Sequence, residues 1–257
     1  MENTLVSKNI AAKRIGILAT GTELVFGEIL NTNGQHIAQT LLNLGMHIGE
    51  HVVVDDNIPN LDAALAFLLS RHQAVITIGG LGPTSDDCTR EVVAKAVDQP
   101  LIFAEESWQR IVTRLSARKL PIPENNRQQA YFPKGATILP NPNGSADGCA
   151  VEHQGQWIFM LPGPPNECLP LFESAVLPLL NRHHFGSPKR LFRWRLTGVS
   201  ESAIAEQLEA FGKPYQLQFG YRAHKPFLDI KLHLIDSPKV QEMLAKLRVI
   251  LRPYGAE

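Results

Sequence analysis

The residues best suited to chemistry form one run, Gly79-Gly80-Leu81-Gly82-Pro83-Thr84-Ser85-Asp86-Asp87-Cys88-Thr89. Its glycines let a backbone come close to an anion. A helix starting behind them would add unpaired N–H groups and the positive end of its dipole. Thr84, Ser85 and Thr89 contribute hydroxyl donors. The combination suits a phosphate group. Asp86 and Asp87 do not suit direct contact with one, because like charges repel. They fit as caps of the following helix, or as ligands of a divalent cation that bridges to the phosphate. A tight, capped strand-to-helix turn with no ligand explains the same residues equally well. The run has neither the GxxxxGK[ST] spacing of a Walker A loop nor the Gly-x-Gly-x-x-Gly dinucleotide fingerprint.

Other acids and turns occupy comparable places. Glu23 follows Gly21, and Asp55-Asp56 follows an apolar run. Singly, each reads as a surface turn residue; acids at three successive strand ends make a shared acidic cluster more credible. Asn141-Pro142-Asn143-Gly144-Ser145-Ala146 is a turn or a second backbone cradle. Leu161-Pro162-Gly163-Pro164-Pro165-Asn166-Glu167 is a corner, or a helix start facing the same ligand with Glu167 beside it. The nine histidines are scattered, and His183-His184 reads as solvated. HExxH and GxSxG are absent, which argues against a zincin or a serine hydrolase. No Nudix box is visible. Tyr215, Phe219 and Tyr221 alternate on an expected strand and read as core.

Alternating strands and helices must position these residues. Arg14–Ala19, His51–Val54 and the continuously apolar Ala74–Ile78 read as strands. The helix between the first two has Ile37, Leu41 and Leu44 at helical spacing, with Asn33 as its cap and Gly45 as its stop. The next has Leu61, Leu65, Leu68 and Leu69. A further helix is expected from Asp87. Such alternation implies right-handed crossovers and a mostly parallel sheet, with the ligand beyond the carboxyl ends of the strands. Helices are then expected over Glu105–Arg118, Glu124–Tyr131 and Asn166–Leu180, and short strands near Thr137, Val151 and Trp157–Leu161. Arg182–Pro188 reads as a linker. Beyond it, strand, helix, two strands and helix in under seventy residues suggest a small α+β domain. The expected strands there are Leu191–Leu196, Gln216–Tyr221 and Phe227–Ile235, and the helices Ser200–Phe211 and Lys239–Leu251.

The chain of 257 residues is 44% hydrophobic and 19% charged, an ordinary globular balance. Lys plus Arg equals Asp plus Glu at 25 each, so no global basic field points to nucleic acid. The three cysteines form no CxxC pair and suit a reducing compartment. No apolar run approaches the roughly 20 residues of a membrane span, and the polar Met1–Lys13 is not a secretory signal. A cytoplasmic location is therefore expected, with residues 1–12 as a disordered lead-in.

Taken together, the sequence resembles the CinA family (competence/damage-inducible protein) over nearly its full length. The stretches that carry the likeness are Gly21-Thr22-Glu23-Leu24, Gly27–Asn33, Gly79–Glu91, Glu124–Ala130 and Leu161–Glu167. The resemblance implies an α/β fold: a three-layer, mostly parallel sheet of the molybdopterin-binding type shared with MogA- and MoeA-like proteins, over residues 13–182. A linker over 183–190 and a small KH-like α+β domain over 191–257 would follow, Gly198-Val199-Ser200-Glu201-Ser202 matching the helix start. That domain lacks a GxxG clamp, so RNA binding is not expected.

The resemblance also implies a metal-dependent pyrophosphatase that cleaves ADP-ribose, or a related dinucleotide such as FAD, to AMP. By likeness, Asp87 and Asp55 fall at or near functional acids of the molybdopterin proteins; with Glu23 they would be catalytic, and Asp86, Asp87 and Glu167 would hold a divalent cation (Mg2+, Mn2+ or Co2+), with K+ as an optional second ion. Phosphate or nucleotide would sit on Gly21, Asn33, Gly79, Gly80, Gly82, Thr84, Ser85, Asn143, Gly144, Ser145, Pro162 and Gly163. A homodimer binding a small nucleotide, without nucleic-acid or membrane partners, is expected. The alternatives are a molybdopterin-binding or adenylylating protein and a non-catalytic oligomeric module. The family's C-terminal domain, which deamidates nicotinamide mononucleotide, would begin about where the chain stops, so that activity is not carried over. Ala146-Asp147-Gly148 replaces the more usual Ala-Pro-Gly, and the charge is expected at the ligand end of the pocket.

Overall fold

The computed structural model describes residues 13–186, 189–235 and 237–255. The chain divides into two compact units, one of Lys13–Leu41 with Met46–Gly186 and a smaller one that takes in Leu42–Gly45 and the described residues from 189 onward. Among the described residues no helix is long and apolar enough to cross a membrane. The expected lead-in, residues 1–12, lies outside the described residues.

In the larger unit the order is β1 (Arg14–Thr20), α1 (Thr22–Val25), α2 (Thr32–Asn43), β2 (His47–Val54), α3 (Ile58–Leu69), β3 (Ala74–Ile78) and α4 (Thr89–Ala96). Then come β4 (Leu101–Phe103), α5 (Glu105–Ala117), a 3-10 segment (Glu124–Ala130), β5 (Tyr131–Pro133), β6 (Thr137–Leu139), β7 (Gly148–His153), β8 (Gln156–Leu161), α6 (Pro165–Leu171), a π turn (Phe172–Val176) and α7 (Leu177–Arg182). The main sheet has the order β2-β1-β3-β8-β7-β6, while β4 and β5 make a separate ribbon. The first four are parallel, and β7 runs antiparallel to both its neighbours.

The pleat sorts the sheet residues between two helical layers. Ile15, Ile17, Ile76, Ile78 and Phe159 pack with Ile37, Leu41, Phe172 and Leu180 of α2, the π turn and α7. Leu18, Val75, Ile158 and Met160 point the other way, to Leu61, Leu65 and Leu68 of α3 and Val92, Val93 and Val97 in and after α4. The result is the expected three-layer α/β sandwich, with the central strands buried on both faces.

Some elements differ from expectation for local reasons. The helix expected over Asn166–Leu180 runs without interruption from Pro165 to Arg182 as α6, the π turn and α7, with helical dihedrals at Leu171, Phe172, Val176 and Leu177, so the π turn is a local widening inside it. Glu124–Ala130 is a 3-10 segment ending in β5, whose Tyr131 pairs with Phe103 of β4. Asn31, not Asn33, caps α2: its Oδ1 accepts the Gly34 amide at 2.9 Å. The stretch read as a linker carries Phe185, 2% exposed in the core of the larger unit. All three thiols are buried, and burial pushes the Cys168 thiol up to about 12.

The smaller unit contains β9 (Lys189–Thr197), α8 (Glu201–Gly212), β10 (Gly220–His224), β11 (Phe227–Ile235) and α9 (Pro238–Leu251). Its antiparallel sheet, ordered β10-β11-β9, buries Leu228, Ile230, Leu232 and Leu234 against Ile204, Leu208, Leu244 and Leu247 of the two helices. Ser200 and Ser237 cap α8 and α9 by accepting the amides of Ala203 and Val240. Tyr215 lies in a 3-10 turn and Phe219 precedes β10, so they do not alternate on one strand, although both pack on the core as expected.

Candidate functional site

β1, β3 and β8 run parallel and end together at Thr20, Ile78 and Leu161. The loops that leave these ends enclose a cleft of about 380 Å³. Gly21, Glu23, Asp56, Gly79 to Gly82, Asp86, Asp87, Ser145, Pro162, Gly163 and Glu167 are among its walls. A second cavity, about 570 Å³, shares Thr20, Glu23, Gly163 and Pro164 with it and extends to the start of α2.

The turn after β3 needs its glycines. Gly79 and Gly80 have φ of 100° and 68°. A Cβ on Gly79 would lie 2.6 Å from the Thr20 carbonyl oxygen, and one on Gly80 would lie 2.1 Å from Thr89 Oγ1. Asp87 folds back over this turn. Its Oδ1 accepts the Gly82 amide at 2.7 Å, and its Oδ2 accepts the Thr84 amide at 3.0 Å and hydroxyl at 2.5 Å. Asp87 therefore braces the loop that precedes it, and no side chain caps the start of α4.

The loop carbonyls are held by side chains. Arg90 donates to Leu81 O at 2.8 Å and Gly82 O at 2.9 Å. Gln128 donates to Gly82 O and Thr84 O, Gln129 to Leu81 O, and Asn125 to Pro83 O. Among the described residues, the amides of Gly80 and Leu81 donate to no protein group, and both residues line the cleft. Arg90 is 1% exposed and its Nε has no partner. Burial pulls its pKa down, against Glu91 and Asp87, yet a guanidinium remains charged. A buried positive charge under a turn with two open amides has the chemistry to receive an anion. Sequence reasoning assigned no role to Arg90, Asn125, Gln128 or Gln129. The available signal is Arg90 at helical spacing from the buried Val93 of α4 and Val97 just after it.

The acids divide differently from expectation. Asp56, not Asp55, faces the cleft from the end of β2. Its carboxylate accepts the Thr20 hydroxyl at 2.9 Å and the Thr22 amide at 2.9 Å. Asp55 turns to Asn60 of α3, 2.8 Å away. Glu23, Asp86 and Glu167 all line the cleft. Glu167 Oε2 accepts the Asn141 side-chain amide at 2.8 Å, and Asn141 Oδ1 gathers the amides of Asn143 and Gly144. Among the described residues no three His, Cys, Asp or Glu side chains converge into a preformed metal cage. Mg2+ usually binds through one or two carboxylates plus substrate phosphates. Glu23, Asp86 and the second oxygen of Glu167 fit that shared mode, whereas both Asp87 oxygens are engaged.

The remaining expected positions separate. Ser145, Pro162 and Gly163 line the cleft, and Asn33 lines the adjoining cavity. Thr84 and Ser85 stand exposed outside the lining, the Thr84 hydroxyl being spent on Asp87. Asn143 is also outside it and donates to Asn166 O. Gly144 lies behind, where it makes room for Glu167: a Cβ there would come within 1.7 Å of Oε2. The charge of Asp147 is not at the ligand end. This residue is 3% exposed and turned away, onto Ser107, Arg110 and the Asn141 amide.

Residues 16–182 match the family model described as "Probable molybdopterin binding domain". A competence-damage inducible protein of Alkaliphilus oremlandii (strain OhILAs) is 46% identical over 197 residues, 77% of this chain and 47% of the relative. Another, from Clostridium acetobutylicum, is 40% identical over 247 residues, 90% of this chain and 59% of that protein. The chain thus spans about half the length of the curated relatives it matches. A crystal structure of the protein CinA from Thermoplasma acidophilum, its function described as unknown, superposes with a TM-score of 0.60 at 28% identity, covering 65% of this chain and 98% of that one.

Proposed function

Since the chain belongs to the molybdopterin-binding domain family and is CinA-like, we propose that it is a nucleotide pyrophosphatase, cleaving ADP-ribose or a related dinucleotide such as FAD to AMP. The observation that carries the reading is the pair of open amides, Gly80 and Leu81, over the buried Arg90. Preorganised N–H groups and a fixed positive charge suit the diphosphate and the charge that grows on it in the transition state. Asp87 keeps the turn in shape. Glu23 and Asp86 stand at the mouth, and Asn141 orients Glu167.

A water oxygen would attack one phosphorus while the bond from that phosphorus to the bridging oxygen breaks. ADP-ribose plus water thus gives AMP and ribose 5-phosphate, with a cleft carboxylate accepting the water proton. One or two of the carboxylates Glu23, Asp86 and Glu167 would hold a divalent cation together with the diphosphate. When bound, such a cation neutralises phosphate charge and acidifies water.

The test is chromatographic detection of AMP from ADP-ribose and from FAD, with Mg2+, Mn2+ or Co2+, with and without K+. Metal-dependent release that falls at least about 100-fold in Asp86→Asn supports the reading. No turnover of either substrate with any metal overturns it, and selective retention of a pterin would replace it.

A further inference from the structure

A residue in the wall of the second cavity carries a buried polar atom without a partner. Asn33, in the first turn of α2, is 7% exposed and lines this cavity. Its Nδ2 donates to Gly163 O at 2.7 Å, which fixes the amide's orientation. Oδ1 is thereby set as an acceptor, and it accepts nothing. The capping of α2 does not employ it, because Asn31 performs that task. A buried acceptor left unmade is costly, so its retention calls for a donor that arrives from outside.

The surroundings restrict what that donor belongs to. Leu24, Ile29, Leu30, Pro164 and Pro165 give the cavity apolar walls, and Leu30 is 81% exposed at its rim. About 570 Å³ is ample for a sugar and a heterocycle. An ionised phosphate oxygen offers no hydrogen to an acceptor. It belongs on the Gly80 and Leu81 amides, across the shared wall of Thr20, Glu23 and Gly163. We propose that the cavity at the start of α2 takes the nucleoside end of the ligand, and that Asn33 Oδ1 accepts a hydrogen bond from an N–H or O–H there. Asn33 is then a specificity-determining residue, selecting ligands by a donor. The inference rests on the diphosphate reading of the neighbouring cleft.

The test is calorimetric titration of wild type and Asn33→Leu with AMP, purine riboside 5′-monophosphate (no exocyclic amine), 2′-deoxy-AMP and 3′-deoxy-AMP. Inorganic pyrophosphate is the probe of the cradle alone. One analogue should bind wild type at least about 10-fold more weakly than AMP. That gap should shrink to about threefold or less in Asn33→Leu. The analogue affected identifies the donor as base amine or sugar hydroxyl. Equal binding of all four by wild type overturns the inference, as does a gap that persists in Asn33→Leu. Pyrophosphate binding that survives those results leaves the diphosphate reading standing. Failure of wild type to bind AMP and pyrophosphate removes both. The comparison of analogues on wild type holds even if Asn33→Leu does not fold.

Discussion

Asp147 and Arg110 are joined through a single carboxylate oxygen: Oδ2 accepts Nη2 at 2.6 Å and Nε at 3.0 Å, while Oδ1 accepts the Asn141 amide at 2.8 Å. The pair is lopsided, because the carboxylate side chain is 3% exposed and the guanidinium 38%. Removing the arginine strands a buried charge, whereas removing the acid leaves a cation that can reach water. Arg110→Met should therefore cost about 3–5 kcal/mol and Asp147→Asn only about 1–2 kcal/mol. Urea unfolding of both variants checks this, and the reverse order would contradict the lopsided pair.

Asp56 and Asp55 offer a contrast between neighbours. Asp56 lines the cleft and ties Thr20 to Thr22, while Asp55 holds Asn60 of α3. Asp56→Asn should lower pyrophosphate affinity or turnover at least about 10-fold, and Asp55→Asn about threefold or less. Equal losses would show that the strand end, and not the side chain facing the ligand, sets the effect.

Two glycines predict opposite tolerance. A methyl on Gly144 would collide with Glu167 Oε2, whereas one on Gly163 meets nothing closer than Gly79 Cα at 3.7 Å. Gly144→Ala should displace Glu167 and lower stability by about 1–3 kcal/mol. Gly163→Ala should leave the empty protein's melting temperature within about 2 °C while obstructing the cleft it lines. Thermal melts paired with pyrophosphate titration separate the two effects.

Much of this arrangement can be read in the chain. Ala74–Ile78 is apolar at every position, which is the mark of a strand buried on both faces, and its boundaries match β3. The Gly-rich turn after it follows from residue type alone. The choice between Asp55 and Asp56 does not, because leaving a strand by one residue swaps the direction of a side chain. Three-residue strands such as Leu101–Phe103 show no period, so β4 and β5 are invisible until they pair. Apart from Arg90, the donors on the loop carbonyls come from Asn125, Gln128 and Gln129, more than forty positions away, and no local pattern announces so distant a contact.

The smaller unit carries a pH signature. The Arg195 guanidinium, 2.8 Å from Oδ1, and the nearby His224 ring hold the Asp229 carboxyl down from 3.8 to about 2. The folded protein thus favours the ionised form. The stabilisation is complete above the unfolded value and disappears as pH falls from about 4 through 2. Wild type should lose roughly 2 kcal/mol more than Asp229→Asn between pH 5.5 and 2, at about 1.4 kcal/mol per unit. Parallel acid dependence of the two proteins would exclude this pair as a source of acid sensitivity.

The side chains that turn away the carbonyls of Leu81, Gly82, Pro83 and Thr84 make the cradle a composite object. Its visible lettering is one short run, but its shape is written jointly by α4 and the segment at 124–130. Grafted onto another strand and helix, residues 79–89 would carry the hydroxyls and glycines without the counterweights, and their amides would lose the direction in which they point. Recombination that respects only the contiguous run would transplant a sequence and leave its geometry behind.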